Sequence, residues 1–222
     1  MMAVSELSTV GARGRALATN KVIRNTYILL SLTLLFSAVM AGVAMTFGIP
    51  RLHPLMVLGI FMGLLFVVEK TRNSGWGLFW VFVFTGFMGL MLGPMLGYYL
   101  SLPNGEQIVM TAFAGTAAIF VGLSFYALSS RRDFSFMGGF LMTGILVAVV
   151  ASLVAWFFTI PALSIGVSAI FVLLMSGLIL WETSNLIHGG ETNYISATVT
   201  LYVSIYNLFT SLLHLLGVFG DE

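Results

Sequence analysis

Charge is nearly missing from this chain: Asp, Glu, Lys and Arg together make up 8% of its 222 residues. A soluble fold of that length covers its surface with charge, so the composition excludes a water-exposed globular domain. Cysteine is absent, which excludes disulfides and thiolate metal sites. Lysine is absent after Lys70, which excludes the Schiff base of a retinal protein. The glycine patterns that cradle nucleotide phosphates are missing, and His188 and His214 belong to no metal-ligand spacing. A net charge of +1 gives no footing for nucleic acid. Apolar residues run continuously instead of alternating, which excludes a β-barrel.

What is present is hydrophobic: 59% of the residues, with no charged side chain at all from Phe134 to Trp181. A hydrocarbon core needs roughly 20 apolar residues per helix. Seven spans fit, over Asn25–Phe47, Leu52–Val68, Trp76–Leu100, Ile108–Leu128, Phe136–Phe158, Ala162–Ile187 and Tyr194–Phe219. The uncharged run is too long for one helix, and Pro161 is where it breaks in two. The expected fold is an all-α integral membrane protein. Between the spans only a few residues remain, so any function sits in the bundle, on its faces or in the N-terminal tail.

Lys and Arg mark cytoplasmic loops. With the N-terminus inside, Arg13, Arg15, Lys21, Arg24, Lys70, Arg72, Arg131 and Arg132 are cytoplasmic, and only Arg51 is outside. Seven spans then put the C-terminus outside. Residues 1–19 lack an apolar core and read as a retained, disordered cytoplasmic tail, leaving 20–222 as the seven-helix transmembrane domain.

Within the third span Gly89, Gly93 and Gly97 recur every four residues. They share a helix face suited to close packing of a neighbour, or to a hinge. Methionines read as core filler. Glu69, beside Lys70 and Arg72, reads as half of an interfacial ion pair. Glu182 is the one carboxylate clearly inside a span, ~9 Å from the cytoplasmic end of its helix at 1.5 Å per residue. An ionised acid at mid-bilayer costs ~2.5–3.5 kcal/mol. Protonating an ordinary Glu at pH 7 costs ~3.7 kcal/mol, so a neighbouring donor or a change of pH could decide the form. In the seventh span Thr200, Ser204, Asn207, Ser211 and His214 form one stripe. Glu182, Asn185, Thr200, Ser204 and Asn207 are therefore expected to form a polar seam that responds to protons or ions, or that simply bonds two helices together. Ser211 and His214 lie on one helix with no third partner, so no catalytic constellation is expected, and neither a cofactor nor a metal site.

Three segments carry a resemblance: Asn20–Leu34, Phe134–Met142 and, most specifically, the stretch ETSNLIHGGETNYISATVTLYVSIYNLF from Glu182 to Phe209. They resemble the Bax-inhibitor-1 family, and within it a proteobacterial subgroup that modulates the FtsH protease. The resemblance implies six helices around a central seventh, residence in the bacterial inner membrane, and FtsH as partner to a protein that is not an enzyme. Some family members carry an aspartate pair associated with pH-sensitive calcium leak. Here the first aligns with Glu182 and the second with Ser204, so the pair is incomplete. Calcium, which takes six to eight oxygen ligands, would lack carboxylates. A cation leak using Glu182, with Ca2+ or H+ as the ion moved or sensed, is the alternative function.

Overall fold

The computed structural model describes the backbone of residues 2–220 and the side chains of residues 19–220. Seven helices follow one another: α1 (Met2–Thr46), α2 (Pro54–Thr71), α3 (Trp76–Leu100), α4 (Gly105–Ser130), α5 (Gly138–Phe157), α6 (Pro161–His188) and α7 (Tyr194–Phe219). Each is long and apolar enough to cross a membrane, α1 through its portion Thr19–Thr46. Among the described residues there is no strand. The chain is an all-α multi-pass membrane protein.

The borders follow local chemistry. Proline occupies the first turn of α2 and of α6, where its missing N–H leaves no bond unmade. Between α5 and α6 the chain turns at Thr159, which has φ 49°. Ile160 N–H there donates to Ala155 O at 3.0 Å, closing α5 before Pro161 opens the next helix. Gly189 ends α6 with φ 74°, a conformation that costs glycine little. Asn193 opens α7, its side-chain oxygen accepting from the backbone N–H of Ile195 (2.9 Å) and Ser196 (3.3 Å).

One border differs from expectation. The backbone of α1 is helical from Met2, so its start does not coincide with Asn20. Residues 2–19 contain no proline and several alanines, and nothing in their backbone chemistry stops a helix. The side chains of residues 1–18, and Asp221 and Glu222 entirely, lie outside the described residues.

Helix α7 is the centre of the bundle. It packs against α1, α3, α4 and α6, while α2 rests on α3, and α5 on α6. Ile195, Ala197, Leu201, Tyr202, Leu208 and Leu213 are almost fully buried along it. Lipid-facing side chains dominate elsewhere: Phe140, Leu146 and Val150 of α5, for instance, are exposed.

The glycine stripe of α3 packs against α1. A Cβ on Gly89 would overlap the carbonyl oxygen of Ser37, and one on Gly93 would lie 2.7 Å from Ala41 O and against the Ala44 methyl. A Cβ on Gly86 would lie 2.7 Å from the Phe36 ring. A Cβ on Gly97, on the same stripe, would meet nothing within 4 Å. Close backbone approach therefore accounts for two of the three spaced glycines.

Candidate functional site

The C-terminal half-turns of α6 tie four elements together, one residue at a time. An added Cβ on Gly138, at the start of α5, would lie 2.9 Å from the Trp181 indole nitrogen. Thr183 Oγ1 and Tyr27 Oη are 3.3 Å apart, joining α6 to α1. Ser184 Oγ donates to Arg132 O (3.1 Å) and accepts from Phe134 N–H (3.0 Å), fastening the α4–α5 connection. His188 reaches Ser184 O (2.8 Å) through Nδ1 and Arg131 O (3.2 Å) through Nε2.

Glu182 lies inside this framework and is 3% exposed. Its Oε1 is buried without a hydrogen-bond partner among the described residues. Two further buried oxygens share that condition, Thr26 Oγ1 and Ser124 Oγ. Thr26 precedes Tyr27, and Ser124 is one turn from Phe120, whose ring is 6.1 Å from that of Tyr27. The three partnerless oxygens lie on α1, α4 and α6. Such a group can exchange a proton or interact with a small polar species. Among the described residues, no three of His, Asp and Glu lie close enough together to hold a metal ion.

Two of the residues expected beside Glu182 bond within their own helix. Ser204, fully buried, donates to Thr200 O at 2.8 Å within its own helix, and Asn207 Nδ2 donates to Val203 O at 2.8 Å. Thr200 is half-buried, and its carbonyl is engaged by Ser204. Asn185 lies over the reversal after α6: its carbonyl accepts from Gly190 N–H at 2.9 Å, and its amide leaves no room for a Cβ there. The five seam residues share the α6–α7 hairpin without forming a hydrogen-bonded chain among themselves. A polar bond between these helices does form between Ser168 Oγ and His214 Nδ1 (2.7 Å).

Other polar contacts escaped sequence reasoning. Tyr202 Oη donates to Thr85 O (3.3 Å) and lies 2.6 Å from Ser37 Oγ, joining α7, α3 and α1. Periodicity marks such side chains as interior but not which helix they meet. At the opposite end of Asn193, Nδ2 donates to Arg72 O (3.2 Å) and Asn73 Oδ1 (2.8 Å). Arg72 pairs with Glu69, and both bond Ser196 Oγ at 3.1 Å. The ion pair expected near Glu69 therefore also anchors the start of α7.

The family model described as "Inhibitor of apoptosis-promoting Bax1" matches residues 19–221. This chain belongs to the Bax inhibitor-1 family. It is 50% identical over 205 residues to the modulator of FtsH protease YccA of Escherichia coli K12, covering 92% of this chain and 93% of the relative. It is 52% identical over 201 residues to a protein of Pseudomonas aeruginosa, covering 90% of each. A membrane protein of Vibrio cholerae is 46% identical over 209 residues, 94% of each chain. Membership of the family rests on nearly the full length of the bundle.

Proposed function

We propose that this protein is a non-enzymatic regulator in the bacterial inner membrane that binds the FtsH protease complex and limits its action on membrane substrates. The observation that carries this is 50% identity, across more than nine tenths of both chains, to a protein named as a modulator of that protease. Its architecture agrees with a binding role. The helices are joined by connections of a few residues, and a hydrophobic bundle offers its outer faces to other transmembrane helices.

The arginine and lysine asymmetry supports a cytoplasmic N-terminus and a periplasmic C-terminus. Residues 1–19 then project toward the side where an ATP-driven motor works, and serve as the handle it grips. Deleting residues 2–16 is expected to lengthen the protein's lifetime in cells containing the protease while preserving co-purification. Unchanged turnover would remove this segment from the mechanism. The proposal as a whole is tested by affinity purification from detergent-solubilised native membranes. FtsH should co-purify with the tagged protein and not with an unrelated seven-helix protein of equal abundance; its absence would refute the partnership.

A second reading, a pH-responsive calcium or proton leak, draws on the partnerless oxygen of buried Glu182. Against it, Ser204 occupies the position of the second acid, and its hydroxyl already bonds within α7. Flux through liposomes carrying purified protein decides the matter. Flux that loses its pH dependence in Glu182→Gln supports the leak, and none between pH 5 and 8 removes it.

A further inference from the structure

Helices α1 and α4 both pack on α7 but do not pack extensively on one another. Between them lies a cavity of about 790 Å³ that has α7 as its floor and α3 as its back wall. Its mouth is lined by exposed apolar side chains, Leu35 and Met45 from α1 and Met110, Phe113 and Val121 from α4. It closes toward the α2–α3 end of the bundle, where Tyr27 meets Phe120. The opening therefore faces the hydrocarbon of one leaflet, on the side of the α3–α4 connection.

The walls fit hydrocarbon. No charged residue lines the cavity. Of its hydroxyls, Ser37 is bonded to Tyr202, Tyr202 to Thr85 O, and Thr116 to Ala112 O. The Tyr206 phenol, its ring stacked on Tyr202 at 6.3 Å, makes no hydrogen bond among the described residues and is the remaining donor. A polar ligand would find one free group on an otherwise apolar wall.

The length of the cavity matches one leaflet of hydrocarbon. The lining runs from Leu34 to Met45 on α1 and from Val109 to Val121 on α4. At 1.5 Å per residue that is ~17 Å, about half the thickness of the bilayer's hydrocarbon core. A hydrocarbon chain is thin and flexible, and it enters sideways from the surrounding bilayer. Volume and lining both match those of lipophilic ligand sites.

We propose that this crevice binds one acyl chain of a phospholipid drawn from the leaflet onto which it opens. The chain lies against Tyr202, Ile205, Tyr206 and Phe209 and seals the gap between α1 and α4. It thereby touches the middle of the central helix, where the other helices bury Leu201, Tyr202 and Leu208. The site does not depend on the protease partnership.

The test uses purified protein in vesicles of phosphatidylethanolamine and phosphatidylglycerol, a minor fraction of the phosphatidylethanolamine carrying a diazirine midway along one chain. After illumination, labelled residues are mapped by mass spectrometry. Labelling is expected on the α7 stretch Tyr202–Phe209 as well as on lipid-facing Phe140, Leu146 and Val150 of α5. Ala38 and Ala117 line the mouth and are exposed, so Ala38→Phe and Ala117→Phe narrow it without disturbing the packed core. Each should cut α7 labelling by about tenfold, the scale of a steric overpacking penalty, and leave α5 labelling unchanged. Tyr206→Phe keeps the volume and should leave the pattern intact. Absence of α7 labelling, or α7 labelling insensitive to the mouth variants, overturns the proposal. So does loss of labelling in Tyr206→Phe, which would mark a ligand chosen by its polar group.

Discussion

Substituting Gly89 by alanine places one methyl group where α1 and α3 cross. The new Cβ would overlap Ser37 O and approach the Ser37 carbonyl carbon and Cα to 2.9 Å. Those atoms are backbone inside a helix, and the Ser37 side chain is itself held by Tyr202. The neighbour therefore cannot rotate away, and the helices must separate. Overpacking of this kind costs ~1–3 kcal/mol, from which the intrinsic preference of a helix for alanine over glycine returns ~1 kcal/mol. The net expectation is a loss of ~0–2 kcal/mol. Gly97→Ala is the internal control: it keeps the propensity gain and meets nothing within 4 Å. It should be neutral or stabilising by up to ~1 kcal/mol. For a chain of this length the two variants should differ by ~2–12 °C in thermal unfolding, followed in detergent by the change in tryptophan fluorescence. Equal melting temperatures would refute the packing argument and return the glycine stripe to a hinge.

Three further outcomes follow from specific contacts. In a double-mutant cycle of Ser37→Ala and Tyr202→Phe, a coupling of ~0.6–1.7 kcal/mol is expected, and strict additivity would mean that the 2.6 Å contact carries no energy. Asn193→Ala removes the cap of α7 together with the bonds to Arg72 and Asn73, and should cost ~1–2 kcal/mol; Asn193→Asp restores the acceptor alone and should recover part of that by the same unfolding assay. Asp133, in the α4–α5 connection, accepts from the Ser135 N–H at 2.8 Å, and this bond holds its carboxyl below its ordinary pKa. Its contribution is therefore present above the unfolded pKa and fades as pH falls through the lower folded value; NMR titration of that carboxyl at an ordinary or raised pKa would contradict the bond.

The spans were legible because two crude quantities decide them, the thickness of hydrocarbon and the cost of burying charge. Trp76–Leu100 and Tyr194–Phe219 form helices with those same limits. Pro161 divides α5 from α6 for the reason its ring imposes. The start of α1 was less legible: low hydrophobicity in residues 2–19 argued against packing, but it does not forbid a helical backbone. Among the glycines, spacing identified a face, while the partner's path decides that Gly93 touches α1 and Gly97 does not. Polar side chains were hardest to read. Ser204 and Asn207 can bond either a neighbouring helix or a carbonyl one turn back, and the sequence is the same in both cases. Tyr27 and Thr183, separated by 156 positions, carry no local signal of their meeting.

The regulatory account is tested most directly by reconstituting purified FtsH with a membrane-embedded substrate in liposomes and measuring substrate half-life with and without this protein at equal lipid density. The account predicts that the half-life lengthens as the ratio of this protein to protease rises, and that the two proteins co-purify from the same vesicles. A half-life unchanged across that range, with no co-purification, would contradict it.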